Sequence, residues 1–296
     1  MLKARRDSSN RLYNSYLNKW TIYCNRRSIN HFSPSVPEAL DFLQSLLDDE
    51  GISRGYSTIA TARSALSAVV TVDSTHRFGD HPAVKQFMRG VFQMAAPSPR
   101  YNTTWDPEVI IEMFKTQNWV PASKIPLLSL SKKVVTLILL ASCQRGQIIE
   151  ALTLDNMEIT EKGVQFLIKN ADLKQGRPGY KPRILQFNFF HIKKICVARY
   201  LCKYVKRTAD IRGDIRKIFI TSKKPHKAVS RDTVSRWVKS VMDKAGINTV
   251  VYKPGSTRAA STSKAVQDGT PLDEILRLGG WSNTSTFNKF YRKEIV

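Results

Sequence analysis

The sequence predicts a mainly α-helical fold with a small antiparallel β-sheet, divided between two domains. Apolar residues recur at helical spacing through about the first hundred residues, whereas short β-rich runs occur only in the second part of the chain. A chain of 296 residues is also long for a single hydrophobic core and suits two. We therefore expect a helical first domain and a mixed α+β second domain.

The first domain, residues 1–95, is predicted to contain four helices. The first helix has apolar residues at spacings of three and four, namely Leu12, Tyr16, Leu17, Trp20, Tyr23 and Cys24. The second helix follows Ser35 and has Pro37 in its first turn, where proline is favoured. Residues 58–70, which are rich in small side chains, and residues 82–94 are expected to be the third and fourth helices. Together they are expected to form a compact bundle.

Residues 96–104 are the best candidate for a linker, because the run "AAPSPRYNTT" contains two prolines and is largely polar. Asp106 and Pro107 then begin the second domain, residues 105–296, with a new helix. Two helices are expected around "SCQRG", followed by the strands "GVQFLIKN" and "RILQFNF" with an exposed turn between them. Two helical stretches, 191–206 and 230–245, flank a short strand "KIFIT", and three short helices complete the domain.

The charge of the chain predicts a polyanionic partner. It has 47 basic and 24 acidic residues, a net charge of +23, and the basic residues are distributed along the whole chain. Nucleic acid is the usual partner of such a surface, and a generically basic protein or one that binds acidic lipid is the alternative. The longest apolar stretch, "VVTLILLASC", is too short to span a bilayer, so no membrane partner is expected.

The cysteines and glycines exclude several other classes. Four cysteines without CxxC spacing suggest neither a disulfide framework nor a zinc site. No glycine-rich phosphate loop is present, which argues against a nucleotide-driven enzyme. We expect no metal and no cofactor. A reducing compartment is expected, which is the nucleus in a eukaryote and otherwise the cytoplasm or nucleoid.

Five polar or aromatic residues lie at abrupt places in the pattern: Arg145, Lys174, Arg258, Trp281 and Tyr291. Each also has an ordinary structural interpretation. Arg145 could pair with a nearby glutamate, Lys174 could be one solvated charge among many, and Trp281 could belong to the core. Tyr291 could belong to the apolar stripe of a last helix, as such stripes usually form core.

Together, these residue types suit the breaking of a phosphodiester bond without water or metal. A tyrosine hydroxyl can attack the phosphate and hold it covalently. Two guanidiniums match the oxygens of the transition state, and an indole N–H can donate one further hydrogen bond. A lysine on an exposed turn can protonate the departing 5′ oxygen.

The order Arg145, Lys174, Arg258, Trp281, Tyr291 resembles the catalytic set of the tyrosine recombinases, the phage-integrase-like enzymes that break and rejoin DNA. The run "STRAASTSKAVQDGTPLDEILRLGGWSNTSTFNKFY" is similar to the recombinases of DIRS-like retrotransposons and to Crypton-type recombinases. The resemblance implies a core-binding domain followed by a catalytic domain. It further implies a 3′-phosphotyrosine intermediate at Tyr291, duplex DNA as the partner, and a homotetramer that exchanges strands between two duplexes for a mobile element.

Two positions depart from the family pattern. The family usually has histidine, sometimes lysine, three positions before the second arginine, where this chain has Gly255. Many members have an acidic residue three positions after the first arginine, where this chain has Ile148. Gly255 supports the alternative of a DNA-binding protein with a recombinase fold and impaired catalysis. A type IB topoisomerase, which uses the same chemistry, is a third possibility.

Overall fold

The computed structural model describes residues 7–47, 55–73, 76–117, 124–169 and 183–296. These described residues form twelve α-helices and five short strands, which confirms the predicted fold class. The chain divides into two compact units, Met1–Ser98 and Pro99–Val296. In the described residues, no helix is long and apolar enough to cross a membrane.

The first unit contains the four predicted helices, which are α1 (Asp7–Arg27), α2 (Val36–Leu47), α3 (Tyr56–Leu66) and α4 (Pro82–Met94). Helix α3 ends earlier than the predicted residue 70, and the chain continues through a turn in which the amide of Val69 donates to the carbonyl of Leu66. The start of α2 is fixed by a reciprocal cap, because the Ser35 amide and hydroxyl both donate to Glu38.

The core of the first unit is formed where the apolar faces of these helices meet. Its fully buried large side chains are Trp20, Phe42, Leu43, Ile59, Leu66, Phe78 and Val84. Within α1, Trp20 and Cys24 are buried, whereas Leu12 on the predicted apolar face is half exposed. The helical spacing of apolar residues therefore predicts the buried face of α1 correctly only in the C-terminal half of the helix.

The second unit contains eight helices among its described residues. They are α5 (Glu108–Thr116), α6 (Leu127–Ser142), α7 (Ile148–Ala151), α8 (Val197–Thr208), α9 (Arg231–Lys244), α10 (Thr257–Gln267), α11 (Leu272–Gly279) and α12 (Thr284–Phe290). Helix α6 is buried along most of its length and packs against α8, α9 and α10. Its nearly continuous apolar sequence follows from this central position.

The sheet of the second unit has three antiparallel strands in the order β2 (Met157–Thr160), β3 (Gly163–Ile168) and β4 (Arg183–Asn188). Strands β3 and β4 are the two predicted ones, and Ile168 pairs with Arg183 at the end nearest their connection. Strand β2 was not predicted. Neither was the parallel pair of β1 (Thr103–Thr104) with β5 (Glu294–Ile295).

Two predictions for the second unit need correction. The run "KIFIT" forms isolated bridges at Lys217 and Ile220, not a strand, because its neighbours meet it at single residues. Helix α8 begins at Val197 instead of residue 191. The residues before it form bends and turns, and the sulfur of Cys196 accepts a hydrogen bond from the amide of Phe190.

Candidate active site

Four segments of the second unit bring Arg145, Arg258, Trp281 and Tyr291 together. Arg145 follows α6, Arg258 lies in the first turn of α10, Trp281 follows α11, and Tyr291 follows α12. The guanidinium carbon of Arg258 lies 3.7 Å from the ring centroid of Trp281 and 5.0 Å from that of Tyr291. The fold thus places one cation against both aromatic candidates.

Arg258 is almost completely buried, with 2% of its surface exposed. Its Nη2 donates a 2.7 Å hydrogen bond to the carbonyl of Gly279. Among the described residues, its Nε and Nη1 have no acceptor. Burial, and then the nearby charge of Arg145, lower the pKa of Arg258 to about 9, so the guanidinium remains protonated at neutral pH. A buried charge with free donors calls for an anionic partner.

Trp281 is also buried, and its indole Nε1 has no acceptor within the described part of the chain. Its ring packs edge-on against Phe287 and Tyr291, with centroid separations of 5.1 and 4.8 Å. The ring also folds back over Gly279, where any Cβ would overlap it. The interpretation of Trp281 as core is therefore correct for its ring but leaves its N–H unexplained.

The glycine pair before Trp281 allows close packing and a tight turn. Gly279 leaves room for the Trp281 ring, and Gly280 adopts φ +72°, a left-handed conformation that favours glycine. The Gly280 amide donates to the carbonyl of Leu276 and ends α11. This turn fixes Trp281 relative to α10.

Tyr291 is held through its backbone. Its amide donates to the carbonyl of Phe287, and its carbonyl accepts a 3.0 Å hydrogen bond from the hydroxyl of Ser263. Ser263 also accepts from the amide of Lys293. Because Ser263 belongs to α10, one helix positions both Arg258 and Tyr291.

The side chain of Tyr291 differs from its neighbours in the last helix. Phe287 is fully buried and takes the core position predicted for the apolar stripe. Tyr291 is only partly buried, and its hydroxyl makes no hydrogen bond within the described residues. The hydroxyl therefore has no structural partner in this part of the chain.

Arg145 lies just beyond a sharp break in the chain. Cys143 has φ +53°, which ends α6, and the amide of Ile148 then donates to the carbonyl of Arg145 to begin α7. No ion pair joins Arg145 to Glu150 or to any other described residue, so the expected structural pairing is not formed. Ile148, at the position where many family members have an acid, is buried.

The remaining predicted positions are Lys174 and Gly255. Lys174, with its predicted exposed turn, lies outside the described residues. Gly255 is exposed, and nothing lies within 4 Å of a Cβ built on it. The next residue, Ser256, is held by a 2.9 Å hydrogen bond from the indole N–H of Trp105.

Two residues that sequence reasoning missed also contact the turn after α11. The side-chain nitrogen Nε2 of Gln144 donates a hydrogen bond to the carbonyl of Leu278 at the end of α11. This bond connects the segment that contains Arg145 to α11. The guanidinium of Arg183 lies against Gly280. The sequence carries one signal for each: Gln144 directly precedes Arg145, and Arg183 occupies an inward position in an alternating strand.

This arrangement can bind a tetrahedral anion next to a phenol. Three buried donor nitrogens without acceptors, Nε and Nη1 of Arg258 and Nε1 of Trp281, lie beside the ring of Tyr291. In the described ranges, no group of three His, Cys, Asp or Glu side chains could hold a metal ion. Directional donors and positive charge match phosphate oxygens.

Comparison with known proteins gives the family and similar folds. Residues 114–295 match the model of the phage integrase family. The fold is similar to the XerH site-specific recombinase bound to its difH substrate, with a TM-score of 0.58 and 13% identity over 86% of this chain and 66% of that chain. The chain therefore spans slightly less than two thirds of the XerH chain.

Two further structures share the fold. A lambda integrase tetramer bound to a Holliday junction has a TM-score of 0.54 and 15% identity, covering 97% of this chain and 73% of that one. The Tn1549 transposon integrase in complex with circular intermediate DNA has a TM-score of 0.51 and 12% identity, covering 88% and 81%. No curated protein sequence matches the chain.

Proposed function

Because the chain belongs to the phage integrase family, we propose that it cleaves and rejoins duplex DNA through a 3′-phosphotyrosine at Tyr291. The observation that carries the proposal is the set of buried donors without acceptors beside the Tyr291 ring. Arg258 and Trp281 hold N–H groups that the described protein leaves unpaired, and a scissile phosphate supplies the missing acceptors. The net charge of +23 favours the same polyanion.

The reaction is a transfer of one phosphate ester bond. The Tyr291 hydroxyl passes its proton to solvent water and its oxygen attacks the phosphorus, a new P–O bond forms, and the bond to the 5′ oxygen breaks. Arg145 and Arg258 bind the non-bridging oxygens, where charge increases in the transition state. Lys174 protonates the 5′ oxygen, which leaves as a free hydroxyl. The reverse steps, with a 5′ hydroxyl from either duplex, rejoin the strand.

The first unit is proposed to bind the DNA backbone through α3 and α4. A groove between these helices is lined by Arg63, Lys85 and Arg89, together with the rings of Tyr56 and Phe92. Basic side chains among aromatic rings suit contacts to phosphates and sugars. This unit thereby supplies affinity, while the second unit supplies the chemistry.

The biological setting extends the same proposal. We infer a homotetramer on two duplexes, of the DIRS-like or Crypton-like branch, acting for a mobile element and located in the nucleus of a eukaryotic host. The similarity to a lambda integrase tetramer on a Holliday junction and to a transposon integrase supports assembly and a mobile element. The sequence signature around Arg258 and Tyr291 supports the branch.

A suicide DNA substrate, nicked near the cleavage site so that rejoining is prevented, tests the proposal. The wild-type chain is expected to accumulate a covalent protein–DNA complex, and Tyr291→Phe is expected to form none. Tyr16→Phe, a hydroxyl deletion in the first unit, is the matched control and is expected to retain the complex. A complex that persists in Tyr291→Phe would show that another residue is the nucleophile.

A second candidate function is DNA binding with impaired chemistry, and Gly255 is the observation that favours it. A glycine supplies no donor or base, which lowers the rate by roughly 10²–10⁴ where a general acid–base group is needed. The open space around Gly255 accommodates a side chain, so Gly255→His tests this candidate directly. A large gain in covalent complex would support impairment, and an unchanged rate would show that the site works without this group.

A further inference from the structure

A third guanidinium, that of Arg183, lies close to the candidate active site. Arg183 begins β4 and pairs with Ile168 of β3. Since side chains alternate along a strand, Arg183 shares the face of Leu185 and Phe187, both of which are buried in the core. A basic residue therefore occupies an inward position on a strand whose backbone is fixed by the sheet.

The guanidinium of Arg183 contacts the same turn as that of Arg258. A Cβ built on Gly280 would lie 2.5 Å from Nη1 of Arg183 and 2.8 Å from its Cζ, so the guanidinium rests directly on the glycine. The preceding residue, Gly279, accepts the hydrogen bond from Nη2 of Arg258. Two consecutive glycines therefore contact the two guanidiniums, Gly279 through its carbonyl and Gly280 through the space left by its missing side chain.

The electrostatics of this pair call for an anion. Burial lowers the pKa of Arg183. Burial, Arg145 and, to a smaller extent, Arg183 lower the pKa of Arg258, which places three like charges within range of one another. In the described part of the chain, the guanidinium of Arg183 forms neither an ion pair nor a hydrogen bond. Like charges in a partly desolvated site are unfavourable until a negative group binds between them.

We propose, on the basis of the function proposed above, that Arg183 is a catalytic residue that binds a non-bridging oxygen of the scissile phosphate. It thereby supplies the phosphate contact that Gly255 cannot make. The planar fork of a guanidinium suits this role, because it presents two parallel donors and a fixed positive charge to a phosphate. Its contact with Gly280 holds the fork beside Gly279, whose carbonyl accepts from Nη2 of Arg258.

The charge of the substrate separates this role from a purely structural one. A methylphosphonate at the scissile position has lost the negative charge of one non-bridging oxygen, so its cleavage depends less on a guanidinium. Arg183→Met is expected to slow covalent-complex formation on phosphate DNA by roughly 10²–10³, as for loss of one transition-state donor, and to recover most of that loss on methylphosphonate DNA. Arg216→Met is the matched control, because the side chain of Arg216 is 60% exposed and pairs with Asp155. This variant should cleave both substrates at the wild-type rate.

Two outcomes of this experiment would overturn the proposal. One is a wild-type rate for Arg183→Met on phosphate DNA, and the other is an equal loss on both substrates. The second outcome is the signature of a misfolded or displaced turn, and a thermal melt of Arg183→Met and Arg183→Lys identifies it.

The proposal about Arg183 and the proposed function fail in different ways. Loss of the wild-type complex in Tyr291→Phe supports the function whatever Arg183 does. If wild type forms no complex, the function fails, and calorimetric titration with orthovanadate then tests Arg183 as an anion ligand. Arg183→Met should bind orthovanadate roughly 10- to 100-fold more weakly than wild type, and equal affinities would overturn the proposal.

Discussion

Among the described residues of the second unit, two arginines are buried, and they differ in their hydrogen bonds. The guanidinium of Arg212, with 6% of its residue surface exposed, donates to the carbonyls of Ile215, Lys217 and Ile218 and to the hydroxyl of Thr208. Only its Nε has no acceptor among the described residues. Arg258 is buried further yet has one acceptor, with two of its nitrogens unpaired.

The difference separates a structural cation from one that awaits a ligand. Arg212 binds carbonyls of the 212–218 loop and so orders that loop from within. The face of the Arg258 guanidinium contacts the rings of Trp281 and Tyr291. These contacts leave two of its nitrogens without hydrogen-bond acceptors. Natural proteins rarely leave buried donors unpaired, and functional sites are where they do. Burial alone therefore does not identify a functional arginine, and neither does a single unpaired Nε, whereas two unpaired nitrogens on one buried guanidinium indicate a ligand.

The largest expected effect is on cleavage by Arg258→Met. Loss of the guanidinium should lower covalent-complex formation by roughly 10²–10³ or more, since the donors act on transition-state charge. The free energy of unfolding should fall by less than it does in Arg212→Met. Removing a buried cation with unpaired donors also removes the free-energy cost of burying it. Single-turnover assays and urea unfolding measure the two effects. A stability loss larger than that of Arg212→Met would remove the contrast.

The reverse pattern is expected for Arg212→Met. Three carbonyls and one hydroxyl lose their donor, and each buried group left unpaired costs about 1–3 kcal/mol, so the free energy of unfolding should fall by about 3 kcal/mol or more. Cleavage per folded molecule should stay near the wild-type rate. If cleavage fell while stability held, Arg212 would belong to the active site.

Lys133 adds a third buried cation, one that can lose its proton. Its ammonium lies over the rings of Phe114 and Tyr200, and burial lowers its pKa from 10.5 to about 7, helped by the charges of Lys194 and Lys203. The unfolded chain binds more protons than the folded one between these values. The stability contribution of the group should therefore rise as pH increases from about 7 toward 10.5, by at most about 1.4 kcal/mol per pH unit.

Lys133→Met should remove this pH dependence and raise the melting temperature at neutral pH relative to wild type. Melting curves measured from about pH 6 to about pH 10, which covers most of the range between the two pKa values, test this pH dependence. Parallel curves for the variant and wild type would show that Lys133 does not titrate in this range. No change in cleavage is expected, because Lys133 lies in the core and not in the site.

The smallest expected effect on stability is that of Gly280→Ala, and Gly246→Ala is its matched control. Both glycines have positive φ, so each substitution costs roughly 1–2 kcal/mol in left-handed strain. An added Cβ meets Arg183 at Gly280 but meets nothing within 4 Å at Gly246. Gly280→Ala alone should therefore slow cleavage. Equal cleavage by both variants would show that the contact with Arg183 is unimportant.

The sequence predicted those parts of the fold that depend on local period. Helix α4 was predicted to the residue, and the start of α2 was predicted as well, because apolar spacing and a proline in the first turn act within one helix. Strands β1, β2 and β5 were missed because two to four residues carry no recognisable alternation. Strands β1 and β5 also pair with each other from opposite ends of the second unit, whereas β2 pairs with the adjacent β3.

The candidate site shows the same limit. Arg145, Arg258, Trp281 and Tyr291 were predicted from their order, and the fold brings them together. Gln144 and Arg183 were missed because each contacts a turn that is more than 90 residues away in the chain. The role of the glycine pair could not be predicted for the same reason. In a sequence, a glycine indicates conformational freedom of the backbone. Only the packed side chains show that Gly279 leaves space for the Trp281 ring and Gly280 for the Arg183 guanidinium.

The most direct test of the account is the identity of the residue that becomes linked to DNA. A substrate with a sulfur in place of the bridging 5′ oxygen traps the covalent complex, and digestion followed by mass spectrometry locates the attached nucleotide. We predict that the nucleotide is attached to the peptide containing Tyr291. Attachment at any other residue, or no attachment by a folded, DNA-bound wild-type chain, would contradict the assignment of the site around Arg258.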